Sequence, residues 1–112
     1  MPGYVDIYLL PVREATIDDY REQATAFGTV AKEHGALSYR EFRADDLSVG
    51  FSAEEGRILT AAVVEFDSRE HRDEVMGKVM KDERVATMTT EDNELADMDL
   101  MQYGGFETFV NP

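Results

Sequence analysis

The chain has no cysteine and no tryptophan, only two histidines and three prolines, and 11 basic residues against 24 acidic ones. Without cysteine there is no thiol nucleophile, disulfide, thiolate zinc site or iron–sulfur cluster. Two histidines are too few for a histidine-rich metal centre, and the sequence calls for no cofactor. A formal charge of -13 repels phosphate backbones and anionic lipid, so nucleic acid and membrane surfaces are poor partners. No run of apolar residues is long enough to span a bilayer, and the start, Met1-Pro2-Gly3-Tyr4, lacks the basic and apolar blocks of a secretory signal. Both point to the cytoplasm.

What is present is enough for one packed core. Over 112 residues the apolar share is 43%, with six Phe and five Tyr, which predicts a single domain over residues 1–112. The acids are spread along the chain, giving a solvated acidic surface rather than a tail.

Tyr4 to Val12 is aromatic and β-branched and predicts a first strand. Thr16 as N-cap, with Asp18 and Asp19 behind it, predicts a helix start. Ile17, Tyr20, Ala24, Phe27 and Ala31 follow at helical spacing, and Lys32, His34 and Gly35 mark its end. Ala36 to Arg43 alternates as a second strand, Leu47 to Gly56 as a mobile loop, and Ile58 to Asp67 as a third strand. Ser68 caps a second helix carrying Val75, Met76, Val79 and Met80, which Gly77 weakens. Asp82 to Thr90 adds a short helical turn, and Glu91 to Asp99 reads as an acidic loop or frayed turn. Leu100 to Val110 is a last strand, in which Gly104-Gly105 signals a bulge or a close backbone approach.

The order βαββαβ predicts an α+β, ferredoxin-like sandwich: a four-stranded antiparallel sheet with both helices on one face. The first and third strands are apolar on both faces. Val5, Ile7 and Leu9 oppose Tyr4, Tyr8, Leu10 and Val12, while Ile58, Ala62, Val64 and Phe66 oppose Leu59, Ala61 and Val63. A sheet with one solvated face alternates cleanly, so the second face needs a cover. We expect a homodimer packed sheet to sheet.

Several strings arrive in a characteristic order: Tyr4-Val5-Asp6, Glu33-His34-Gly35-Ala36, Tyr39-Arg40-Glu41, Ala44-Asp45-Asp46, His71-Arg72-Asp73, Val79-Met80-Lys81-Asp82 with Arg84, and Tyr103-Gly104-Gly105-Phe106-Glu107. Across nearly the whole chain this resembles the YbaA-like bacterial family, a domain of unknown function. The resemblance implies a small cytoplasmic protein of the dimeric α/β-barrel superfamily, which includes cofactor-free monooxygenases, haem-degrading enzymes, isomerases and dehydratases. The chain departs from the family in a shorter loop around Ser48 to Arg57 and in a third strand without tryptophan.

The candidate chemistry is sparse. His71, in the first turn of the second helix, is a candidate base or ligand, or simply a helix-end histidine. His34 suits helix capping. Among the strand carboxylates Asp6, Glu41 and Glu107, any one that is buried becomes a proton acceptor; the alternative is pairing with Arg40 or Arg43. Tyr8, Tyr39 and Tyr103 line a pocket or fill the core. Met76, Met80, Met88, Met98 and Met101 suit an adaptable pocket or ordinary packing. The expected ligand is a small, partly apolar molecule held between sheet and helices by Tyr8, Phe27, Glu41, His71, Met76 and Tyr103. The alternatives are a cofactor-independent oxygenase or isomerase using His71, and a purely structural dimer.

Overall fold

The computed structural model describes residues 3–88 and 95–112. β1 (Tyr4–Arg13) runs through a 3-10 turn (Glu14–Thr16) into α1 (Ile17–Glu33). β2 (Ser38–Arg43), β3 (Arg57–Phe66), α2 (Arg69–Lys81) and a one-turn α3 (Glu83–Ala86) follow, then a 3-10 turn (Met98–Leu100) and β4 (Gln102–Glu107). The sheet order is β2-β3-β1-β4 and every neighbouring pair is antiparallel. α1 links β1 to β2 across the place β3 takes, and α2 links β3 to β4 across β1, the two split βαβ crossovers of the ferredoxin-like fold.

Strand alternation assigns the faces. Asp6, Leu10 and Val12 of β1 and Thr60, Ala62, Val64 and Phe66 of β3 are buried under the helices. Val30 and Ala31 of α1, Val75 and Val79 of α2 and Val85 of α3 close over Val64 and Phe66 to form the core. Each such buried Val or Phe side chain contributes about 1.5–3 kcal/mol relative to exposure. A smaller cluster of Leu10, Val12 and Ala96, flanked by Ile17, Tyr20 and Met98, forms where the chain returns toward β4. There Ala96 bridges to Val12, and Asp97 accepts from Arg57 Nε at 2.7 Å.

The helix boundaries have identifiable chemistry. α1 ends in a Schellman arrangement: Ala36 N–H donates to Ala31 O and Gly35 N–H to Lys32 O, with Gly35 at φ +119°. At the other end the expected cap is not made. The Thr16 hydroxyl is instead shared between Arg13 O and Leu95 O, and Thr16, as the last residue of the 3-10 turn, has φ -115° and ψ 16° rather than the extended backbone of an N-cap. Ser68 does cap α2, accepting from His71 N–H at 3.0 Å. Residues Leu47 to Gly56 contain neither helix nor strand. The acidic stretch after Thr90 lies outside the described residues as far as position 94.

In β4 the register with β1 continues unbroken through Ile7↔Gly104 and Asp6↔Gly105, so there is no bulge. Gly105 is there for the close approach: a Cβ at that position would overlap the Tyr4 hydroxyl.

On the sheet face away from the helices, Val5, Ile7, Leu9, Leu59, Ala61 and Val63 are all partly accessible. Phe42 and Phe106 on the same face are 47% and 54% exposed. Among the described residues one sheet face is covered and the other is left apolar and open.

Candidate functional site

Between the sheet and the helices lies a cavity of about 270 Å³. Its floor is the helix-facing side of three strands: Tyr8 and Leu10, Tyr39 and Glu41, Thr60 and Ala62. α1 supplies Tyr20, Gln23, Ala24 and Phe27, and α2 supplies Met76 and Met80. Val85, Met88, Ala96, Met98 and Met101 close the far side. The five methionines singled out from the sequence thus all line this cavity, although they come from three separate segments. None of them is fully buried. A second, larger groove of about 490 Å³ lies between α1 and β2 and shares Tyr20, Ala24, Tyr39, Glu41 and Thr60 with the first.

Glu41 stands where the two spaces meet. Its Oε1 accepts a 2.6 Å hydrogen bond from the Tyr20 hydroxyl, and its Oε2 accepts one from the Tyr39 hydroxyl. Tyr39 and Glu41 are two apart on β2 and so share a face, while Tyr20 reaches down from α1. Burial, reinforced by the Glu41 charge, holds the Tyr39 phenol far above its ordinary pKa. Its proton stays on the ring oxygen. Of the alternative partners, Arg40 is engaged elsewhere, over the Phe42 ring and 3.9 Å from Glu65, and Arg43 forms no ion pair with Glu41 among the described residues.

A second polar cluster lies beyond Tyr8. Asp6 is completely buried, with Oδ1 accepting from Arg72 Nη1 at 2.6 Å. Among the described residues its Oδ2 has no hydrogen-bond partner. Arg72 also donates to Tyr103 Oη at 3.0 Å and to Asp73 at 2.8 Å, and it lies over the Tyr4 ring. Desolvation outweighs the Arg72 charge and raises the Asp6 pKa. Of the three strand carboxylates, Asp6 is therefore the buried one with raised proton affinity, whereas Glu107 is exposed. Tyr103 stacks on Tyr8 with ring centroids 4.6 Å apart.

Tyr8, Phe27, Glu41 and Met76 accordingly come together around the cavity, and Tyr103 sits one ring behind Tyr8. His71 is not among the lining residues. Its Nδ1 accepts from Asp67 N–H at 3.0 Å, and its ring meets Phe66 edge-on. His34 is the C-cap residue of α1, and its Nε2 lies 2.9 Å from Asp82 Oδ2. Asp82 also caps α3 and binds Arg84, which together with His34 holds its carboxyl well below the usual range.

Sequence reasoning missed Tyr20 and Arg72 as site residues. Tyr20 read as one more apolar position on α1. The signal for Arg72 was Asp6 itself: a carboxylate at a helix-facing strand position needs a cation from the helix crossing above it.

Comparison with known proteins supplies the relationship. The family described as a protein of unknown function, DUF1428, matches residues 3–98. The chain belongs to this family. The uncharacterized protein YbaA of Escherichia coli is 32% identical over 116 residues, covering 96% of this chain and 97% of that protein. Among solved structures, a NIPSNAP family protein of unknown function from Agrobacterium tumefaciens superposes with a TM-score of 0.65 at 16% identity, over 95% of this chain and 87% of that one. SnoaB, a cofactor-independent oxygenase from Streptomyces nogalater, superposes with a TM-score of 0.60 at 12% identity, over 98% and 95% of the two chains. At these identities the likeness is one of fold. Among the described residues no helix is long and apolar enough to cross a membrane.

Proposed function

We propose that this DUF1428 protein is a cytoplasmic homodimer that binds a small, partly apolar molecule between its sheet and its helices. The observation that carries the reading is the cavity of about 270 Å³, walled among the described residues by five methionines and four aromatic rings around one carboxylate. That volume is near the lower end of ligand pockets, roughly 300–1,000 Å³. Unbranched thioethers adapt to a ligand's shape, while a few fixed polar groups orient it.

The dimer covers the open sheet face. By alternation that face carries Arg13, Arg40, Arg57 and Glu65 as its charged positions on β1, β2 and β3. The acidic excess of the chain is absent there, so two copies approach without the repulsion that -13 each imposes elsewhere. The apolar side chains between these charges then leave water on a two-fold axis.

A second reading, turnover without a cofactor, draws on Glu41. It is a carboxylate at the cavity wall, backed by two hydroxyls, and its placement suits a proton acceptor. In that reading Glu41 takes the role the sequence suggested for His71.

Native mass spectrometry of freshly purified protein tests the main reading. A dimer that retains a reproducible small mass supports it. A bare monomer of 12.7 kDa overturns it.

A further inference from the structure

We propose that the ligand of the cavity carries a protonated amine on an apolar body, with the ammonium group seated on Glu41. The inference rests on the binding reading above and deepens it by naming the ligand's head group.

Among the described lining residues Glu41 is the one charged group, and no Lys or Arg shares the cavity. Its carboxylate forms no ion pair with a described residue; its partners are the two phenols. A carboxylate has about four lone-pair positions, of which the tyrosine hydroxyls fill two. Both hydroxyl protons are directed at Glu41, so they are not available to an incoming acceptor. Two other polar groups of the wall have partners within the protein. The Thr60 hydroxyl donates to Leu10 O at 2.9 Å, and Gln23 Nε2 gives one of its two protons to Met88 O at 3.0 Å, while the Tyr8 ring is stacked on Tyr103.

At Glu41 and its two phenols the wall therefore offers lone pairs and negative charge but no proton. A ligand acceptor, such as a carbonyl or a carboxylate, meets like polarity there. A donor completes the site, and a cationic donor also neutralises a charge that the apolar walls leave without a counter-ion. The rings of Phe27, Tyr39 and Tyr20 line the same cavity, those of Phe27 and Tyr39 with centroids 5.8 Å apart, and supply apolar surface for the body of such a ligand. The cations of the neighbouring groove, Arg21, Lys32 and Arg43, line the far side of the tyrosine–glutamate pair. None of them forms an ion pair with Glu41. The overall negative charge draws cations toward the molecule before any contact is made.

The test uses head groups on a common tail. Heptylammonium, heptanol and heptanoate are titrated calorimetrically into the wild-type protein and into Glu41→Gln at physiological salt. Ethylammonium reports general attraction to an acidic surface. The expected order is heptylammonium tighter than heptanol by roughly tenfold or more, the margin of a charge-assisted hydrogen bond over a neutral one. Heptanoate is weakest and ethylammonium shows no saturable binding. Glu41→Gln, which keeps the side-chain shape, abolishes the ammonium preference and leaves heptanol binding in place. Equal or tighter binding of heptanol or heptanoate to the wild type overturns the amine inference while the cavity reading stands. No binding of any heptyl compound overturns both. Because the head-group order is read on the wild type, the test does not depend on the variant folding.

Discussion

Two carboxylates in this protein are moved in opposite directions by their surroundings, and pH separates them. Asp6 is raised, because burial penalises its charge more than Arg72 relieves it. A raised carboxylate contributes stability that is present below its ordinary value and lost as pH rises through the folded value. Replacing Arg72 with Met removes the relief and leaves the charge, so we expect a loss of about 3–5 kcal/mol at neutral pH. The loss should shrink on acidification as Asp6 protonates. Urea denaturation at pH 7 and pH 4 checks this, and a loss independent of pH would count against a buried charge as its cause. Asp82 is depressed by Arg84 and His34, so its contribution is present above its ordinary value of 3.8 and lost as pH falls through the lower folded value. Thermal melts from pH 5 to pH 2 should therefore fall more steeply for the wild type than for Asp82→Asn.

The same residues show how far the sequence could be read. Asp6 and Glu41 stood out as carboxylates on strands, since a charged residue in an apolar alternating run is conspicuous. Their partners did not. Tyr20 lies 21 residues from Glu41, and Arg72 lies 66 from Asp6. Both contacts exist only because a helix crosses the sheet at a particular distance, which no spacing along the chain encodes.

At the scale of elements, that distance is set by small residues. Gly28, buried in α1, lies against the ring of Tyr39, and a Cβ there would overlap it. That ring is pinned by Phe27 and by its bond to Glu41, so it has little room to yield. Gly77, in α2, has open space around its Cα. We expect Gly28→Ala to destabilise by about 1–3 kcal/mol through overpacking. Gly77→Ala should stabilise by about 0.5–1 kcal/mol through helix propensity alone. Chemical denaturation of the two variants separates a packing glycine from an incidental one, and equal effects would contradict the assigned role of Gly28. Local chemistry made most element boundaries readable, including the Gly35 stop and the Ser68 cap. It failed at Thr16, where a 3-10 turn that periodicity does not reveal takes the residue out of the extended N-cap conformation. It was ambiguous at Gly104-Gly105, where only the ring of Tyr4 decides between a bulge and a close approach.

At the scale of the molecule, the two-faced apolar pattern of β1 and β3 carried the most information. One face became the core and the cavity floor, and the other remained open. Ile7→Lys on the open face should leave circular dichroism unchanged while shifting sedimentation from dimer to monomer, since the substitution places charge within the surface that the proposed pairing buries. A dimer that persists unchanged would move the interface elsewhere. The methionines were legible as residues but not as a wall, because Met76 and Met80, Met88, and Met98 and Met101 meet only after the second crossover is complete.

The most direct measurement of the binding account is a methyl NMR titration of protein labelled at methionine Cε and isoleucine Cδ1, with heptylammonium as the probe. The account predicts that the methyls of Met76, Met80, Met88, Met98 and Met101 shift together to saturation, while Ile7, on the opposite sheet face, stays fixed. Methionine signals that remain in place at millimolar probe, or a shift confined to Ile7, would contradict it.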